Sequence, residues 1–200
     1  MNAEFPKSIF SGRFGKNHCQ GIAVDEKNGF IYYSFTTLLV KTDLEGNLVG
    51  TVDGLIGHLG CIAYNKEDGR VYGSLEFKND SIGRGILASL GMDGRFEDAF
   101  YCAIFDVERI DRVGMSAERD GIMRAVYLSE VVDDYNANGE QGRAHRYACS
   151  GIDGTAYGPV FGTVGAKKIM VAYGIYSEVG RTDNDHNVIL QYDPDIFAQY

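Results

Sequence analysis

The segment His18–Ser34, HCQGIAVDEKNGFIYYS, and the segment His58–Ser74, HLGCIAYNKEDGRVYGS, are two versions of one unit set 40 residues apart. Six positions are identical: His18/His58, Ile22/Ile62, Ala23/Ala63, Gly29/Gly69, Tyr32/Tyr72 and Ser34/Ser74. Each copy reads as a short apolar strand, a turn on Asn28-Gly29 or Asp68-Gly69, and a second apolar strand, which is the pattern of a hairpin.

The repeat extends outward from these two hairpins. Val40–Leu48 reads as a third strand, a turn at Glu45-Gly46 and the start of a fourth, and Ala88–Phe96 is expected to repeat that shape around Asp93-Gly94. The second offset is 48 residues, so eight extra residues are placed between the second and third strands of the second unit, near 76–81. A fainter third unit is read at Asp120-Gly121 and Ala125–Ser129. A fourth is read from Gly154–Tyr157, Ile169–Tyr173 and Val188–Asp193. A fixed period of about 40 to 50 residues marks a propeller or a similar array. No window sustains apolar residues at i, i+3, i+4, i+7, so helices are short at most. The expectation is an all-β single domain over 1–200, a β-propeller of four-stranded antiparallel blades at 16–54, 55–105, 106–146 and 147–200.

Composition narrows the function. Nineteen Lys and Arg against 28 Asp and Glu give a net charge of −9, which repels phosphate backbones and anionic lipid; neither nucleic acid nor a membrane is expected as a partner. No stretch of about 18 apolar residues spans a bilayer. Residues 1–15 show no basic segment followed by an apolar run, so the default location is cytoplasmic. Cys19, Cys61, Cys102 and Cys149 lie 42, 41 and 47 residues apart, far from the close pairs that zinc and redox motifs use, and read as buried free thiols.

The residues His18–Asp25 (HCQGIAVD) with Gly29–Tyr32 (GFIY), and the later Ser150–Gly154 (SGIDG), resemble blades of six-bladed β-propellers of the NHL and gluconolactonase-like kind. Six blades of about 45 residues need about 270 residues. The resemblance therefore implies an incomplete six-bladed ring. The rival reading closes a four-bladed ring by pairing Lys7–Phe14 with the last blade. The gluconolactonase side of the resemblance implies a channel metal held by acidic and amide side chains, with Asp153 in place for it and Glu76 or Glu130 as further candidates.

In a propeller the innermost strands line a central channel, so residues at its mouth converge from separate blades. His18, His58 and Asp153 are the candidate catalytic residues there, and Gln20, Glu76 and Glu130 the candidate ligand contacts. Paired imidazoles beside a carboxylate suit acid–base work or a divalent metal; a histidine opening each blade also suits a backbone hydrogen bond to its neighbour. Asp134, Asn136 and Asn138, followed by Gly139, match the first half of a calcium loop, while His145 stands where the closing Glu belongs. The alternative is a plain solvated loop. Arg181–Asn187 reads as a polar rim loop or solvated turn.

The functional expectation is a small polar ligand at the channel mouth. It is turned over by a metal-dependent hydrolase or lactonase, or else the chain is a non-catalytic module for a carbohydrate or a protein.

Overall fold

The computed structural model describes residues 8–15, 17–165 and 167–197. Lys7, Lys16 and 198–200, which the expected pairing and blade limits include, lie outside the described residues.

The first sheet follows the reading of the repeat. Strands β1 (Cys19–Asp25), β2 (Phe30–Phe35), β3 (Leu38–Asp43) and β4 (Leu48–Asp53) pair antiparallel in chain order. The turn chemistry explains the register. Buried Asp25 accepts the Asn28 amide at 3.1 Å and its side-chain amide at 2.7 Å, and Gly29 takes φ +77°, which a side chain would resist. Forty residues on, Asn65 accepts the Glu67 amide at 3.0 Å and Gly69 takes φ +72°.

The second sheet starts the same way, with β5 (His58–Asn65) and β6 (Arg70–Phe77). The insertion after β6 is helix α1 (Ser81–Ser89), whose N-cap Asp80 accepts the Gly83 amide at 2.8 Å. This corrects the expected strand at Ala88–Phe96: its first two residues end the helix, and the third strand is β7 (Ala99–Phe105), paired with β6.

The unit expected at 106–146 forms no sheet of its own. Its two short strands complete the other sheets: β8 (Met115–Ser116) runs parallel to β4, and β9 (Met123–Tyr127) pairs antiparallel with β7. Helix α2 (Ser129–Asn136) follows. Burial explains the difference. Val107, Ile110, Met115, Ala117 and Ile122 are drawn into the apolar layer between the first and second sheets. Buried Lys41 on β3 donates to the carbonyls of Val107 at 2.9 Å and Ile110 at 3.0 Å, with its ammonium 4.3 Å from the Phe30 ring centroid.

The third sheet comprises β10 (Cys149–Pro159), β11 (Lys167–Ile175) and β12 (Ile189–Tyr192), with a turn of helix, α3 (Pro194–Phe197), beyond it. The described residues therefore form three sheets, not four. Each begins with its innermost strand, and β1, β5 and β10 lie side by side. A Cβ on Gly21 would stand 2.8 Å from the Cys61 Cα, Ser34 Oγ donates to the Gly60 carbonyl at 2.6 Å, and the Asp153 carbonyl lies over Gly60. A second apolar layer, built on Tyr72, Phe100, Ile104, Ile152 and Val171, fills the space between the second and third sheets. Sheets fanned about adjacent first strands, with apolar layers between their faces, make the fold propeller-like. Ile9 and Phe14 pack on the outer face of the first sheet, not beside the last. Among the described residues no helix is long and apolar enough to cross a membrane.

Candidate functional site

The fan brings some of the expected site residues together at one end of the sheets. His58 and Glu76 face each other in the β5–β6 register, with His58 Nδ1 3.6 Å from Glu76 Oε1. Glu76 is 6% exposed; the Lys78 ammonium sits 2.9 Å from Oε1, and Oε2 accepts the Ile152 amide from β10 at 3.2 Å. Lys78 also donates to the Ser150 carbonyl at 2.9 Å and lies 3.7 Å from Asp80. Burial alone lowers the Lys78 pKa, but Glu76, by charge and hydrogen bond, and Asp80 outweigh it and leave the amine above its ordinary value. On the adjoining strand the Gln20 side-chain amide donates to His18 Nε2 at 3.1 Å, and the Cys61 thiol donates to the Gln20 carbonyl at 3.4 Å. Asp153 is exposed, its Oδ2 2.7 Å from where a Cβ on Gly174 would stand. Glu130 stands apart on α2, where Oε2 accepts the Tyr192 hydroxyl at 3.3 Å.

The segment expected as a calcium loop is helical through Asn136. Both oxygens of Asp134 are engaged, one by Arg146 at 2.9 Å and the other by the Tyr173 hydroxyl at 2.8 Å. Asn136 and Asn138 are exposed, and Asn138 joins Ala144 through a backbone bridge. Oxygen ligands must converge to hold calcium, and these do not. Nor do any three His, Cys, Asp or Glu side chains gather into a metal site among the described residues. The donor set does not fit a divalent ion.

A feature absent from the sequence reading lies at the same end. Four non-glycine residues between 141 and 148 have positive φ: Gln141 (55°), His145 (65°), Tyr147 (56°) and Ala148 (52°). Each such residue costs on the order of 1–3 kcal/mol and persists only where its surroundings over-determine it. Arg181 does much of the determining. This residue of the expected solvated turn is 7% exposed. It donates through Nη1 to the Ala144 carbonyl at 2.9 Å, through Nη2 to the His145 carbonyl, and through Nε and Nη2 to the Asp183 carboxylate at 2.5 and 3.0 Å. Asp183 also accepts the Glu140 amide at 3.1 Å, and Glu140 accepts the Thr182 amide at 2.7 Å. Arg181 holds the Asp183 carboxyl at about 2, well below its usual range. The His145 ring is stacked on Tyr135, centroids 4.0 Å apart, with Tyr176 at 5.9 Å, and its Nδ1 bonds to the Tyr135 carbonyl.

Between this clamped segment and the residues after β11 is a cleft of about 440 Å³, lined by Arg143, His145, Tyr176, Ser177 and Glu178. A second hollow of about 440 Å³ shares Tyr176, Ser177 and Glu178 and continues toward Asn184 and Asn187. Burial raises the Tyr135 hydroxyl pKa, with added contributions from Asp98, Tyr176, Asp80 and Glu76, and Tyr176 lies within electrostatic reach of Lys78. Arg143, Tyr176 and Glu178 left no mark in the sequence, and His145 stood out only as the residue at the end of the expected calcium loop, because its forced φ has no residue-type signature. The polar run at 181–187 was the one signal available.

In comparisons with known proteins, no protein-family model and no curated protein matches this chain. A solved structure of the Dos1 propeller overlays with a TM-score of 0.45 at 13% sequence identity, covering 90% of this chain and 33% of that one. This chain thus spans about a third of that structure's length.

Proposed function

We propose that this chain is a propeller-type binding module that takes a small polar ligand beside the third sheet, in the cleft between residues 143–145 and 176–178. The observation that carries this reading is the strained segment 141–148, locked by Arg181 and lining the cleft. Stored strain is retained where a rigid recognition surface is needed. The Tyr176 ring, 45% exposed, offers a stacking face to a sugar, and Ser177 and His145 supply hydrogen-bonding groups beside it. Ligand-observed NMR with a panel of monosaccharides, carboxylates and phosphates tests the reading. Binding should appear in the parent chain and vanish in Ser177→Trp, which fills the cleft; binding that survives that substitution places the ligand elsewhere.

A hydrolytic reading has one juxtaposition in its favour, the His58 imidazole with its Nδ1 3.6 Å from the Glu76 carboxylate. Lactone and ester assays decide it. Turnover in the parent that is lost in His58→Gln supports it, and no turnover in the parent removes it.

A further inference from the structure

We infer that the ligand group seated in this cleft is an oxyanion, a carboxylate or a phosphate, and that the Glu178 carboxylate holds its place until it arrives. The inference rests on the cleft being the binding site, and it starts from Arg143. Arg143 Nη1 is buried at the cleft wall yet has no hydrogen-bond acceptor. A buried guanidinium N–H without an acceptor calls for an explanation, because leaving such a group unmade costs about 1–3 kcal/mol. Its nearest carboxylate oxygen is Glu178 Oε1 at 3.8 Å, beyond hydrogen-bond range. Glu178 Oε2 lies 3.4 Å from Arg181 Nη1, a long contact on a nitrogen already donating to the Ala144 carbonyl at 2.9 Å. One carboxylate thus hovers between two guanidinium groups and satisfies neither well, whereas a charge-assisted N–H···O bond closes to about 2.7–2.9 Å.

The two arginines differ in how firmly they are held. Arg181 is matched by Asp183, whose two oxygens both engage it, so its charge is already balanced within the clamp. Arg143 has only the distant Glu178 among the described residues' ion pairs. Glu178 is held loosely as well. Its side chain is 49% exposed, the next residue, Val179, is 99% exposed, and Gly180 follows with φ +77°. Turning Glu178 outward therefore gives up little buried surface and two long ion pairs, to Arg143 and Arg181. Glu178 Oε1 stands 3.8 Å from Arg143 Nη1, so the space it leaves adjoins that nitrogen, and Arg143, His145 and Ser177 line the same cleft. A free oxyanion, not tethered to the chain as Glu178 is, can approach that nitrogen closely enough to make a hydrogen bond.

Isothermal titration with inorganic phosphate and, separately, with acetate tests this in a buffer free of other oxyanions, with glucose as the uncharged probe. Either anion should bind the parent chain; the anion that binds identifies the source of the oxyanion. Glu178→Gln, which keeps the shape and removes the competing charge, should tighten that binding about fivefold. Arg143→Gln should weaken it about tenfold or more, with Arg143→Lys intermediate. Should Arg143→Gln fail to melt cooperatively, the Glu178→Gln result decides alone. Anion binding that Glu178→Gln leaves unchanged or weakens overturns the inference. Glucose binding that Ser177→Trp abolishes, with both anions silent, also overturns it and leaves the cleft as the binding site. Silence from all three probes overturns the inference and the cleft's role together.

Discussion

Glu76 reaches from the second sheet to the third: its Oε2 accepts the amide of Ile152 at 3.2 Å. The neighbouring Gly151 makes the approach possible, since with φ +119° it carries no Cβ where one would collide with the Glu76 carboxylate. Glu76→Ala leaves Lys78 without its closest carboxylate and the Ile152 amide without an acceptor. A loss of about 3 kcal/mol is expected in urea unfolding, with Glu76→Gln retaining an acceptor and losing less. A change under about 0.5 kcal/mol for Glu76→Ala, within the range of an ordinary surface substitution, would show the contact to be incidental.

Arg181→Leu removes the donors that hold the Ala144 and His145 carbonyls. The strained backbone of 141–148 should then relax, and hydrogen exchange at the amides of 139–148 should accelerate at least about tenfold while β2 and β6 exchange as before. Stability should fall by about 2–3 kcal/mol. Unchanged protection across 139–148 would mean that His145 stacking and the Glu140 contacts with Thr182 and Asp183 fix the loop without Arg181.

Lys41 has a comparable role at the first sheet. Lys41→Met keeps the chain length and loses both bonds, to Val107 and Ile110. About 2 kcal/mol of stability should go with them, read in the same urea titration. An increase in stability would show that burying the ammonium costs more than its two bonds return.

The first sheet was legible because its information is local: side chains alternate about a turn that Asp25 and Gly29 encode within five residues. The first two strands of the second sheet repeat that grammar. The errors begin where pairing becomes non-local. Ala125 and Val126 do form a strand, as their pattern says, but their partners Ala103 and Cys102 belong to the preceding unit, and nothing in a local window distinguishes joining an existing sheet from starting a new one. The turn at Asp93-Gly94 suggested a strand from Ala88, although Asp80, which caps the Gly83 amide, was a helix-start signal. At the site, the matched histidines His18 and His58 stand at the starts of adjacent first strands, while the cleft depends on Arg181. Its polar surroundings in sequence disguised a buried guanidinium.

The four cysteines should separate by reactivity. Cys102 and Cys149 are buried, and burial pushes their thiols up to about 12 and about 11; burial raises Cys19 as well, and Cys61 is exposed. Since the thiolate is the reactive form, iodoacetamide at mild alkaline pH should label Cys61 first, with Cys102 and Cys149 reacting only in urea. Early modification of Cys102, located by peptide mass mapping, would contradict its burial between the second and third sheets.

Acid should loosen the clamp through Asp183. Its carboxyl is held at about 2 by the hydrogen bond from Arg181, against an ordinary 3.8. A folded-state value below the unfolded one means that the native protein resists protonation there, so the contribution is fully present above pH 3.8 and is lost as pH falls toward 2. Asp183→Asn has no such titration, while every other acidic group is shared by the two chains. The parent should melt above the variant at pH 5, and the difference should shrink steadily between pH 4 and pH 2. Arg181 stays charged throughout, so the convergence reports the carboxylate alone. A gap between the two melting temperatures that remains constant down to pH 2 would show that it does not arise from the charge of the Asp183 carboxylate.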